Sequence, residues 1–182
     1  ITLHNSSPDP LRDIGLRLDP NHFLGNARHA APWVPAEVTD GMVISRMTID
    51  GKPVNLASNA APAGDGGSGA RAIVAAQQNA ANAPTGEAVL RNGRSTAASV
   101  RLGTPIAAGA KAVLEIAWSH KLPGGPGTGH RMVQRWADTL YQPTQWYPRV
   151  AVYDDLRGWD NELYVGPSEF YNNFGTFDVN ID

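Results

Sequence analysis

Residues able to do chemistry crowd the last third of the chain. Asp154, Asp155, Asp160, Glu162 and Glu169 fall within one stretch, and Trp136, Trp146, Trp159, Tyr147 and Tyr164 lie in or beside it. Two carboxylates at a suitable separation can hydrolyse a glycoside, and oxygen ligands in a turn can hold calcium. The spacing lacks the every-second-position acids of a helix-loop-helix calcium loop. Acids in a turn also accept backbone hydrogen bonds, and here they can pair with Arg149 or Arg157. The rings offer another chemistry, because large amphipathic faces either stack on a ligand such as a sugar or pack a core corner.

Other constellations are missing. No two of the five histidines (His4, His22, His29, His120 and His130) stand four apart, so His-Glu-x-x-His is absent. His22 and His29 are seven apart in an irregular stretch and read as ordinary hydrogen-bonded histidines. Gly67-Ser68-Gly69 has no strand before it and no helix after it, so it is neither a nucleophile elbow nor a phosphate loop. With no cysteine there is no disulfide, thiol nucleophile or thiolate metal site. That absence fits a reducing compartment and many bacterial exported proteins alike.

The elements that must position these residues read as strands. Ile14, Leu16 and Leu18 alternate with polar or small residues, and Met42, Ile44, Met47 and Ile49 form an inward row with one irregularity. Lys111–Trp118 alternates most cleanly, and Met132–Trp136 and Arg149–Tyr153 follow as strands. Asp50-Gly51 and Asn92-Gly93 are hairpin signals, the second flanked by 87–91 and 98–102, and Pro105–Gly109 reads as a turn. Residues 22–41 show no period. Residues 57–86 are low-complexity, with Arg71–Val74 as a strand candidate and a loop or hairpin favoured over a helix at 75–83. No segment above ten residues has helical periodicity, and nineteen glycines and fourteen prolines suit many short strands. The fold class is therefore all-β, an antiparallel curved sheet or β-sandwich, in a single domain over 1–182.

A net charge of −2 leaves no electrostatic footprint for nucleic acid or an anionic membrane, and no apolar run reaches membrane-spanning length. The chain begins at Ile1 within strand-like sequence and stops within the alternating Phe177–Asp182. We expect an excised piece of a longer protein.

Several spaced motifs together resemble a known family. They are Gln145-Trp146-Tyr147-Pro148-Arg149-Val150-Ala151-Val152-Tyr153-Asp154-Asp155, then Gly158-Trp159, Glu169-Phe170-Tyr171 and Phe174-Gly175-x-Phe177-Asp178-Val179. Upstream, Leu3–Leu11, Leu16–Leu18, Asn21-His22-Phe23 and Pro105–Trp118 follow the same order. The set resembles the N-terminal β domain of the aminopeptidase N family of zinc metallopeptidases (gluzincin aminopeptidases), in its bacterial branch. The family's common Pro-Cys-x-Asp-Glu-Pro is replaced here by Val152-Tyr153-Asp154-Asp155-Leu156.

The resemblance implies a saddle-like, non-catalytic domain that helps form a peptide cleft with a downstream thermolysin-like domain of the same polypeptide. Zinc would belong to that domain, and this chain would hold no metal, cofactor or catalytic residue. It also implies a substrate-binding glutamine that receives the peptide's α-amino group, four residues before an arginine. Gln145 stands four before Arg149, with Gln142 as second candidate. The alternative for either is a glutamine that only hydrogen-bonds a strand end. The rival from another class is a free-standing β-sandwich that binds carbohydrate.

Overall fold

A computed structural model describes residues 1–30, 37–57, 86–124, 132–137 and 139–181. Among these residues the strands are β1 (Thr2–His4), β2 (Leu11–Arg17), β3 (Val43–Ile49), β4 (Lys52–Asn55), β5 (Ala88–Arg91) and β6 (Ala97–Ile106). They continue with β7 (Lys111–Ser119), β8 (Gln134–Trp136), β9 (Leu140–Gln142), β10 (Arg149–Val150), β11 (Tyr153–Asp154) and β12 (Gly158–Trp159). Eight of them form one sheet in the order β1-β7-β3-β4-β5-β6-β2-β10, which curls into a half-barrel. The pairs β8–β9 and β11–β12 stand as separate small ribbons. The all-β curved sheet expected from the alternation is what forms.

The inner face follows the period-two pattern. Ile14 and Leu16 of β2, Ile44, Met47 and Ile49 of β3, Leu90 of β5, Val100 and Leu102 of β6 and Leu114 of β7 make one core. The irregularity in β3 is a register shift between Ile44 and Arg46, which keeps Met47 inward despite the odd spacing. Asp50 and Gly51, with φ of 49° and 76°, connect Ile49 to Lys52 as the two-residue turn that requires positive φ at both positions. Asp50 then accepts the Val113 N–H through Oδ1 at 2.8 Å, fastening the hairpin to β7.

Three details differ from the sequence reading. β4 and β5 pair in parallel, not antiparallel. The low-complexity stretch, with Arg71–Val74 in it, lies almost wholly outside the described residues. The hairpin expected at Asn92-Gly93 forms, with β5 and β6 antiparallel on its two sides. Arg91 pairs with Ser99, leaving a wide loop that the buried Asn21 side chain holds by donating to Gly93 O (3.1 Å) and Ser95 O (2.9 Å). β6 continues through Pro105 to Ile106, past the end of its pairing with β5, where a missing N–H is tolerated, and the turn falls at Ala107–Ala110. Arg149–Tyr153 is not one strand, because buried Ala151 and Val152 separate β10 from β11.

The end of the chain differs too. Phe177–Ile181 alternates like a strand but forms none, and its apolar side chains stand exposed. β2 alternates as a half-buried strand does, yet Ile14, Gly15, Leu16 and Arg17 are all buried. A Cβ on Gly15 would lie 3.0 Å from the Trp159 ring and 3.1 Å from the Ala151 Cβ, so a side chain there would press on the β11–β12 ribbon. No described helix is long and apolar enough to cross a membrane.

Candidate functional site

The strand order leaves β1 and β10 as the two edges of the half-barrel, and residues of both border one open groove of about 2040 Å³. Trp118 of β7, Gln145, Trp146 and Tyr147 ahead of β10, Trp159 of β12 and Phe177 also line it. The chain's two ends therefore meet at this groove, although nothing local in the sequence joins them.

Gln145 is half-buried on the groove wall with φ of 53°, a left-handed conformation that costs a non-glycine residue of order 1–3 kcal/mol. Gln142 is placed differently. It closes β9 opposite Gln134, its carbonyl accepts the Thr144 N–H at 3.1 Å, and it does not line the groove. The structure thus puts the first candidate on the cleft and the second in a strand end.

The rings divide between groove and core. Trp118 and Trp146 lie 5.8 Å apart, Trp146 and Tyr147 5.4 Å, and Tyr147 and Phe177 6.2 Å, a row along the groove. The Trp118 indole N–H donates to Trp146 O at 3.1 Å, so its polar end already has a partner. Tyr164 is buried instead, stacked on Phe170 at 4.8 Å beside Phe23, Met132 and Val133.

The acids do not converge. Asp154 Oδ1 accepts the N–H groups of Leu156 (2.9 Å) and Arg157 (2.7 Å), shaping the turn from β11 to β12, and Arg157 Nε lies 3.8 Å from its other oxygen. Asp160 is 3.7 Å from Arg17. Arg149 passes over the nearby acids and pairs with Asp19, which is fully buried and also 3.4 Å from Arg17. Arg17 additionally donates to the Glu162 carbonyl. This Arg17–Asp19–Arg149 knot sews the 149–162 segment to the back of β2. Sequence reasoning missed it because the partners are 130 residues apart. The one local signal was Arg17 alternating with apolar residues and followed at once by Asp19-Pro20.

His22 and His29 do come together, with ring centroids 4.6 Å apart and the His29 Nε2–H donating to His22 O at 2.8 Å. Their neighbours are the rings of Phe23 and Tyr164, so the surroundings are those of a packed corner. Among the described residues no group of three or more histidines and acids is placed to hold a metal. His120, just after β7, is pushed below the usual imidazole range by burial, partly offset by backbone hydrogen bonds at Lys121 and Trp146. Glu37 is held down to about 2 by hydrogen bonds from the Lys121 ammonium and the Gly124 N–H, with both Lys121 and Arg135 adding positive charge.

No family model, curated protein or solved structure matches the chain.

Proposed function

We propose that this chain is the N-terminal β domain of an aminopeptidase-like zinc metallopeptidase. In this reading it is non-catalytic and forms one wall of a peptide cleft beside a downstream zinc-bearing domain. The observation that carries the reading is the placement of Gln145. The residue that the family likeness singles out lies on the wall of the large groove, on strained backbone, while Gln142 does not. Strain at a polar residue facing a cleft is a recurring mark of a functional position, and a side-chain amide oxygen can accept from an ammonium. The curled β-sheet and the ordered motifs support the same reading.

The test has two parts. Beyond Asp182 the gene should encode His-Glu-x-x-His followed by a zinc-binding Glu about 20 residues on, and its absence over the next few hundred codons would sink the reading. The chain itself, given zinc, should release no product from an aminoacyl-anilide above a no-protein control. Zinc-dependent turnover by the chain alone would overturn the non-catalytic assignment.

The row Trp118–Trp146–Tyr147 favours a second reading, a carbohydrate-binding module. Both tryptophans, however, are partly buried against the two cores. Saturable quenching of tryptophan fluorescence by a member of a glycan panel would decide for the module.

A further inference from the structure

Trp159 borders the large groove and also a second, smaller cleft of about 350 Å³. Asp13 of β2, Ser99 of β6 and Asn92 from the loop between β5 and β6 line one side of this cleft. Trp159, Asn161 and Leu163 line the other. These three alternate along the chain, and the residues between them are tied down elsewhere. The Asp160 N–H donates to Val152 O at 2.8 Å, its carboxylate lies 3.7 Å from Arg17, and the Glu162 carbonyl accepts from Arg17. Beyond them the buried Tyr164 N–H donates to Thr96 Oγ1 at 2.9 Å. Ser99 stands opposite Gly15, whose missing side chain leaves room for the Trp159 ring. The wall is thus held in place by its own bonds, which lowers the ordering cost of binding.

The side chains of Asn92, Ser99 and Asn161 have no hydrogen-bond partner among the described residues. The Asp13 carboxylate pairs with Arg101 Nη1 at 3.2 Å and keeps further lone pairs for other donors. An anion would meet the Asp13 charge. A metal ion would find one carboxylate, and no described group of three or more histidines and acids is placed to hold one. An apolar ligand would desolvate four polar side chains and offer them nothing. A neutral polyol suits all of them. Its hydroxyls can donate to Asp13 and to the amide oxygens and accept from the amide N–H groups, while its C–H face lies against Trp159 and Leu163. Small-molecule sites span about 300–1,000 Å³, so this cleft has room for one ring and not for a chain of them. We propose that it binds a single neutral sugar ring. The inference rests on neither reading of the function, and its residues are not those of the Trp118–Trp146–Tyr147 row.

Overall tryptophan fluorescence would not separate this cleft from that row, so the test is made residue by residue. Free glucose, galactose, mannose and N-acetylglucosamine are titrated separately into the isotope-labelled chain, and indole and side-chain amide signals are followed by NMR. We expect at least one sugar to bind saturably with a millimolar dissociation constant, as suits so small a ligand. It should shift the Trp159 indole and the Asn92 and Asn161 amides and leave the Trp118 and Trp146 indoles still. Asn161→Ala changes an exposed side chain that has no partner, so the fold survives, and it should weaken that sugar at least fivefold. Asp13→Ala should weaken it to a similar degree, and inorganic phosphate should shift none of these signals. Four results would each overturn the proposal: no saturable shift with any of the sugars, shifts confined to Trp118 and Trp146, unchanged affinity in both variants, or phosphate bound in the sugar's place.

Discussion

Asp19→Ala is the substitution that most directly tests how the groove-lining segment is held. Asp19 is fully buried between Arg17 and Arg149, whose side chains are 8 and 10% exposed. Arg17 would keep the Glu162 carbonyl and Asp160 as partners. Arg149 would lose its ion-pair partner among the described residues and keep only the Phe170 ring, 5.8 Å from its guanidinium carbon. Breaking a buried pair strands a charge and costs about 3–5 kcal/mol. Since one of the two arginines stays satisfied, we expect about 3 kcal/mol, a large share of the roughly 5–15 kcal/mol that holds a typical domain. Urea unfolding followed by tryptophan fluorescence measures it. The control is Asp13→Ala, which removes the partly exposed pair with Arg101 and should cost at most about 1 kcal/mol. If a stranded charge is the cause, adding Arg149→Met to Asp19→Ala should restore part of the loss. Equal costs for Asp19→Ala and Asp13→Ala, or a double variant weaker than the single, would refute the reasoning.

Two further outcomes follow from single ties. Asn21→Ala removes the donors to Gly93 O and Ser95 O and the acceptor of the Met42 N–H (2.8 Å), all buried or nearly so; it should cost about 2–3 kcal/mol and speed hydrogen exchange at Met42, with unchanged exchange counting against the tie. Glu37 has a folded pKa of about 2 against an ordinary 4.5, so its stabilising contribution is present above pH 4.5 and lost as pH falls toward 2. Glu37→Gln should therefore flatten the acid limb of stability in that window, by a small amount because the pair is partly exposed, and identical acid limbs in both proteins would exclude the effect.

What was legible in the sequence was whatever one strand decides by itself. The inward rows of β2, β3 and β7 follow from period-two alternation, because a sheet with one wet face sorts residues that way. Asp50-Gly51 was readable because only a few residue types accept positive φ in succession. Asn92-Gly93 carried the same local signal and the β5–β6 hairpin forms there, its loop wider than two residues because Asn21, seventy-two residues away from Gly93, holds it. The parallel β4–β5 pair was hidden for a related reason: strand sequences carry little information about a neighbour's direction. Arg17, polar among alternating apolar neighbours, lies under the 149–162 segment, a burial that only long-range packing creates.

The candidate site was legible in one respect and hidden in another. The aromatic and acidic crowding of the last third located one wall of the groove, and Gln145 falls on it. The opposite wall is β1, at the far end of the chain, brought there by the curl of eight strands. No window of sequence contains that juxtaposition. Phe177–Ile181 shows the same limit most clearly. Alternation specifies a face, and it predicts a strand only where a backbone partner exists to accept the ladder. Here the face is present and no described strand pairs with it, so the apolar row stands exposed.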